Sequence, residues 1–291
     1  MSEHAVEVRT ADGLSLVGLH LSPDGNSDPA CAVVWLHGFG ARYDLPQFVA
    51  LGRELNGLGI GFLTCELRGH DGAATGWRYR DGRPDFIRVG SWWEVFEDAS
   101  QDIAAWVTFA HTLPYASVVL AGHSFGALHA VHYLASAPDS GVAAIALASP
   151  SFGLRSLQRE TAELADALVA AGKGEDLLPP GSWPRGFGTT TVSAQTYASW
   201  WRVAPRFFGE SPSFFHRLSI PVLIMYGTRS DVGGAAELEY LASLATHAPA
   251  VETRLLDGVT HAFNGAELAV SSALDEWLRR TLPVLPPNEG A

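Results

Sequence analysis

"VVLAGHSFGALHA", residues 118–130, runs an apolar stretch straight into Gly122-His123-Ser124-Phe125-Gly126 and then into alanines and another leucine. Val118 to Ala121 is apolar and rich in β-branching, as a strand covered on both faces must be, whereas Ala127 to Ala135 spaces helix formers at the 3.6-residue period. Ser124 therefore falls on a strand-to-helix turn. A turn so tight forces its central residue into a sparsely populated backbone region, and glycines two positions to either side leave room for the adjoining strand and helix. The pattern predicts a hydroxyl held clear of the surface beside the backbone N–H groups that open a helix at Phe125, the geometry of a nucleophile elbow. Gly-x-Ser-x-Gly alone is a cheap match in a chain with 30 glycines among 291 residues; the strand before it and the helix after it carry the reading.

A serine hydroxyl is a weak nucleophile at neutral pH unless a base takes its proton. Of the 11 histidines, His261 is the best placed, in the loop "LDGVTHAFNG" between the last expected strand and the C-terminal helix. An acid that orients the imidazole is expected between Ser124 and His261 in the chain, and Asp231 fits, because "PVLIMY" ends at Tyr226 and "GTRSDVGG" carries the chain past the sheet edge. The competing reading makes Asp231 a helix cap. Asp257, so close to His261, is expected to shape the loop. All three candidates follow the C-terminal ends of expected parallel strands, the edge along which open α/β sheets build their sites. "WLHGFGARYD", 35–44, lets the backbone approach that edge, so the N–H groups of Phe39 and Phe125 are the expected donors to an oxyanion. His37 and His123 are read as structural, and His129 and His132, on the elbow helix, likewise.

Outward from the elbow the chain alternates. Two period-2 stretches near Ala5–Arg9 and Leu14–Leu21 predict an antiparallel hairpin, and strands at 31–36, 60–67, 142–149, 220–226 and 251–256 alternate with helical stretches at 45–58, 93–110, 235–245 and 266–282. The result is an α/β class with a mostly parallel sheet and helices on both faces. Residues 151–217 break the rhythm with an amphipathic helix near 154–171, a Gly/Pro-rich loop at 172–188 and a dense aromatic group including Trp183, Phe187, Trp200, Trp201, Phe207 and Phe214. They are expected to form a cap inserted into a core of residues 1–150 and 218–291. Trp200, Trp201, Phe207 and Phe214 are the expected substrate-binding wall, suited to an apolar or aromatic group.

A net charge of −12 and the lack of a basic aromatic stripe argue against a nucleic-acid partner. No apolar run approaches the ~20 residues that cross a bilayer, and the N-terminus lacks a signal-peptide pattern, so the cytoplasm is the expected location. Cys31 begins one strand and Cys65 ends the next, too far apart for a disulfide if the strands are parallel neighbours. The sequence holds no His-Glu-x-x-His, paired Cys-x-x-Cys or Walker loop, so no metal is expected.

Together, HGFG (37–40), ELRGHDG (66–72), GHSFG (122–126), Asp231 and His261 resemble the α/β-hydrolase fold serine hydrolases, above all the esterase, lipase and serine-aminopeptidase-like branch with a helical cap. The resemblance covers about residues 14–282. It implies an eight-stranded mostly parallel sheet, a Ser-His-Asp triad of Ser124, His261 and Asp231, no cofactor, and a small-molecule ester or acyl substrate. Ser124 in place of aspartate speaks against the dehalogenase and epoxide-hydrolase branches. The chain departs from the family's frequent DxRGHGxS in having Glu66 and His70-Asp71-Gly72, followed by a long loop to Trp93 with Arg78, Arg80, Arg83 and Arg88. That loop is read as a solvated surface segment or as a second pocket wall for an anionic group. Carboxylic ester hydrolysis is the first functional reading. A thioesterase or acyltransferase, a hydrolase of lactone, amide or carbon–carbon bonds, and a catalytically silent ligand-binding protein remain alternatives.

Overall fold

Along each central strand, alternate side chains enter two different cores, one on each side of the sheet. In a computed structural model of the chain, which describes residues 2–23, 30–181, 191–209 and 211–282, the strands are β1 (Ser2–Arg9), β2 (Ser15–Ser22), β3 (Cys31–Leu36), β4 (Gly61–Cys65), β5 (Ala74–Arg80), β6 (Arg83–Val89), β7 (Ser117–His123), β8 (Val142–Ala148), β9 (Val222–Gly227) and β10 (Val251–Leu256). Eight of them form one sheet in the order β1-β2-β4-β3-β7-β8-β9-β10. The β1/β2 and β2/β4 pairings are antiparallel, and every pairing from β4 to β10 is parallel.

The helices are α1 (Pro46–Gly57), α2 (Ala99–Ala110), α3 (Phe125–Ser136), α4 (Arg159–Ala170), α5 (Ala194–Phe208), α6 (Ala235–Leu244) and α7 (Glu267–Thr281). Val33 and Trp35 of β3, Val119 and Ala121 of β7, and Leu223 and Met225 of β9 pack with α1 and α7. Their neighbours Val34, Leu36, Val118, Leu120, Val222 and Ile224 pack with α2, α3 and α6 on the other side. Each buried valine, leucine or isoleucine contributes about 1.5–3 kcal/mol relative to exposure, so a one-residue slip would cost a whole face. Cys31 and Cys65 are buried free thiols at opposite ends of paired strands. No helix among the described residues is long and apolar enough to cross a membrane.

The long segment after the RGH turn departs from expectation. Instead of a loop it forms the antiparallel ribbon β5–β6, with Trp77 opposite Phe86 and both rings exposed. Its turn is Asp81-Gly82, with φ of 50° and 75°, the two positive angles of a type I′ hairpin turn. Arg78 pairs with Asp85 at 3.6 Å and Arg88 with Glu175 at 3.2 Å.

Between β8 and β9 the chain supplies α4 and α5. The N-cap of α5, Ser193, accepts from the Thr196 N–H at 3.3 Å, and this helix start is bonded to the core. Ser193 N–H and the Thr196 hydroxyl donate to the Trp92 carbonyl, and the Gln195 amide donates to the Trp93 carbonyl. Trp183 and Phe187, and part of the Gly/Pro-rich loop, lie outside the described residues.

Candidate active site

Strand β7 delivers the serine and helix α3 begins one residue later. Ser124 has φ 56° and ψ −115°, a backbone region costly for any residue but glycine. The turn tolerates no side chain at its flanks: a Cβ on Gly122 would lie 2.4 Å from the Gly126 carbonyl oxygen, and one on Gly126 would lie 2.3 Å from that of His37. The glycines thus let β3, β7 and α3 close on one another, and this packing holds the serine in its strained conformation.

From the loop after β10, His261 reaches across the sheet edge. Ser124 Oγ donates to His261 Nε2 at 3.1 Å when the imidazole is in the Nδ1–H tautomer. Burial pushes the His261 pKa below that of an ordinary histidine, while the charge of Asp231 acts in the opposite direction. A largely neutral imidazole in contact with a hydroxyl is the arrangement in which a base can take a serine proton.

Asp231, in the loop after β9, lines the same cavity as Ser124 and His261. Its carboxylate is not hydrogen-bonded to the imidazole: among the described residues His261 Nδ1 has no partner. Asp257 is occupied elsewhere, accepting from the Thr228 hydroxyl at 3.2 Å, while the Gly258 N–H donates to the same hydroxyl at 2.8 Å. These two bonds tie the β9 loop to the β10 loop.

The loop after β3 closes the site from the other side. Gly38 lies so near the serine that a Cβ on it would sit 2.9 Å from the Ser124 Cβ. Phe39 and Phe125 both line the cavity, with ring centroids 6.0 Å apart. His37 holds the loop in place. Its Nδ1–H donates to the Gly38 carbonyl at 2.8 Å, its Nε2 accepts from the Leu67 N–H at 3.0 Å, and burial pushes its pKa down to about 4. Arg68, in the adjoining turn, donates to Asp102, which is fully buried, at 2.7 Å, anchoring that turn to α2.

The cavity over Ser124 measures about 550 Å³. Its apolar wall comes from Leu45 and Phe48 beside the HGFG loop, Phe152 after β8, and Val232 beside Asp231; Gln47, Ser151 and Ser156 add polar points. The four aromatic residues expected to form this wall stand elsewhere. Trp200 and Phe207 share one face of α5 and are fully buried, Trp200 against the rings of Phe39 and Phe125 at 5.7 and 5.6 Å, Phe207 against Phe96 and Phe214. Phe214 packs on His132, and Trp201 lines a separate groove of about 310 Å³ with Leu154, Pro205 and Phe208. Helical periodicity spends this aromatic face on packing α5 against Phe39, Phe96 and Phe125. Leu45 and Phe48 were missed, although they directly follow a loop already assigned to the site.

A second buried polar pair lies behind the elbow. Glu94 and His129 approach to 3.5 Å, both almost wholly buried. Burial, reinforced by the negative charge of Asp102, pushes the Glu94 pKa up to about 8, and burial pushes His129 well down. The folded protein therefore binds a proton at Glu94 that the unfolded chain releases near 4.5. The stability this proton contributes is complete below that value, erodes as pH rises and is gone above about 8. Glu94→Gln is expected to flatten the decline of Tm between these limits and to melt above the wild type at alkaline pH. Thermal melts of both proteins across that range check it; parallel curves would overturn it.

A serine elbow on a central parallel strand, met by a histidine from the loop after the last strand, defines an α/β-hydrolase fold serine hydrolase. The model of the family described as serine aminopeptidase, S33, matches residues 27–176, and the chain belongs to this family. No curated protein matches the sequence at a significant level. Among solved structures, the chain is similar in fold to Est1E from Butyrivibrio proteoclasticus with bound ferulic acid, at 18% identity and TM-score 0.67, covering 96% of this chain and 100% of that one. It is also similar to the α/β hydrolase GrgF from Penicillium sp. sh18, at 18% identity and TM-score 0.69, covering 97% and 100%. A third similar structure is the Pyrococcus furiosus esterase Pf2001, at 18% identity and TM-score 0.60, covering 97% and 93%.

Proposed function

We propose that the chain hydrolyses carboxylic esters bearing an apolar or aromatic group, through an acyl-enzyme on Ser124. The observation that carries this reading is the 3.1 Å contact between Ser124 Oγ and His261 Nε2 in the cavity. Ser124 attacks the ester carbonyl carbon while His261 takes its proton, and the charge of Asp231 stabilises the imidazolium. The backbone N–H groups of Phe39 and Phe125 donate to the developing oxyanion, each worth about 10²–10³ in rate. His261 then gives its proton to the leaving alcohol, and water repeats the sequence to free the acid. None of these steps draws on a metal or cofactor.

The substrate class follows from the walls. Phe39, Phe48, Phe125 and Phe152 surround the serine, and aromatic rings favour edge-to-face packing with an aromatic acyl or alcohol group. Ferulic acid, which Est1E binds, is an acid of this kind. Residues 151–217 act in this reading as a cap whose Phe152 end meets substrate and whose α5 face is fixed to the core.

A panel of p-nitrophenyl esters and matching thioesters, with aromatic and graded aliphatic acyl groups, tests the class. Faster turnover of the aromatic esters is expected; rapid thioester cleavage with inert esters would move the chain to the thioesterases. The pH profile tests the base. Because burial lowers the His261 pKa, activity is expected to fall only as pH drops through a midpoint below the ordinary histidine value of about 6.5. A flat profile, or a midpoint above 7, would remove His261 as base.

A further inference from the structure

We propose that His123 is a positioning residue that seats the general base by clamping the main chain of His261. The inference rests on the serine hydrolase reading above and adds a residue to its machinery. His123 is the last residue of β7 and immediately precedes Ser124, whereas His261 lies beyond β10, with β8 and β9 standing between their strands. Its ring nevertheless reaches the base loop: His123 Nε2–H donates to the His261 carbonyl at 2.8 Å, and the two imidazoles lie 4.9 Å apart at 34°.

The bond fixes the tautomer, since a carbonyl oxygen can only accept. His123 Nε2 therefore carries the hydrogen, and Nδ1 is buried without a partner among the described residues. Burial, and the repulsion of a second positive charge on His261, hold the His123 pKa down at about 3. His123 thus stays neutral while its neighbour cycles through imidazolium, and the proton taken from Ser124 remains on His261. Asp231 is the charged group that faces His261 from the opposite loop.

The base loop needs such a tie. Phe263, two residues beyond the base, has φ 61°, a left-handed conformation unfavourable for a bulky side chain. Its ring packs 5.5 Å from that of His123, which also meets the ring of Phe48 at 5.7 Å. Without the bond from His123 the loop is free to relax, and the imidazole leaves the line of the hydroxyl. A displacement of about 1 Å at a reacting group can cost about 10²-fold in rate.

Two variants separate the clamp from packing. His123→Phe keeps an aromatic ring and removes the donor; His123→Gln keeps an N–H donor. For His123→Phe, kcat on a chromogenic ester is expected to fall about 10²-fold with KM within about twofold of wild type. Labelling of Ser124 by a fluorophosphonate is expected to slow in parallel, with its acid limb moving up toward 6.5 as His261 gains solvent. His123→Gln is expected to recover most of the rate. If the phenylalanine variant does not fold, His123→Met, more adaptable in a buried site, carries the same comparison. A donor-less variant with unchanged kcat, or equal losses in the glutamine variant, overturns the clamp. Wild-type protein that the fluorophosphonate does not label overturns instead the hydrolase reading on which it rests.

Discussion

Ser124→Ala is expected to lower kcat for ester hydrolysis by about 10⁶-fold, with Tm unchanged. The size follows from the proposed mechanism, in which the site works as a unit: without the hydroxyl no acyl-enzyme would form, and what would remain is the catalysis of bound water by oxyanion donors and positioning. Stability is spared because alanine has the same Cβ as serine and so meets the same backbone cost at φ 56°, and because the Ser124 side chain does not cap α3. The hydroxyl's own bond is to His261, a partly exposed group that the cavity can hydrate. Single-turnover and steady-state assays with a p-nitrophenyl ester read the rate, and mass spectrometry after fluorophosphonate treatment reads the site of modification. Undiminished turnover, or a label on another residue, would move the nucleophile away from position 124.

The elbow could be read from the sequence because the constraints on it are local and steric. Gly122 and Gly126 are dictated by backbone atoms within 2.4 Å of where their side chains would stand, and such demands leave one residue type. The sheet was legible for a different reason: β3, β4 and β7 are buried on both faces, so nearly every interior position is apolar, Thr64 excepted, and the runs stand out. The ribbon β5–β6 is largely exposed, and in β5 Trp77 faces outward while Arg78 is half-buried, so the alternation of polarity does not follow burial. Asp81-Gly82 was the available signal, a dipeptide suited to a two-residue hairpin turn.

The aromatics between β8 and β9 illustrate a different limit. Composition gives Trp200, Trp201, Phe207 and Phe214 equal claims on a ligand, but the directions of the first three depend on the rotation of α5 against the core, which is fixed by bonds from Ser193, Gln195 and Thr196 to the main chain at Trp92 and Trp93. That rotation turns Trp200 and Phe207 inward and leaves the cavity to Phe48 and Phe152. No period in the sequence encodes a contact between helix α5 and a segment a hundred residues earlier. The strand ends, by contrast, brought Ser124, Asp231 and His261 to one cavity by topology alone.

Asp231→Asn is expected to lower kcat by about 10³–10⁴-fold, whereas Asp257→Asn is expected to stay within a few-fold of wild type. Both carboxylates lie in loops at the same edge of the sheet, but only Asp231 lines the cavity and adds its charge to His261. Asp257 is engaged with Thr228 and serves the loop. With His261 Nδ1 lacking a partner among the described residues, the full effect requires the Asp231 carboxylate to come into bonding distance when substrate fills the cavity. Catalytic hydrogen bonds that are long in the free enzyme commonly tighten at that stage. A second readout separates the two roles. The charge of Asp231 raises the His261 pKa against the effect of burial, so its removal lets that pKa fall further and shifts the acid limb of the kcat/KM profile to lower pH. Asp257→Asn leaves the limb in place and Tm nearly unchanged, since the amide Oδ1 still accepts from the Thr228 hydroxyl. A large rate loss with a shifted limb in Asp257→Asn, and neither in Asp231→Asn, would transfer the role of triad acid to Asp257.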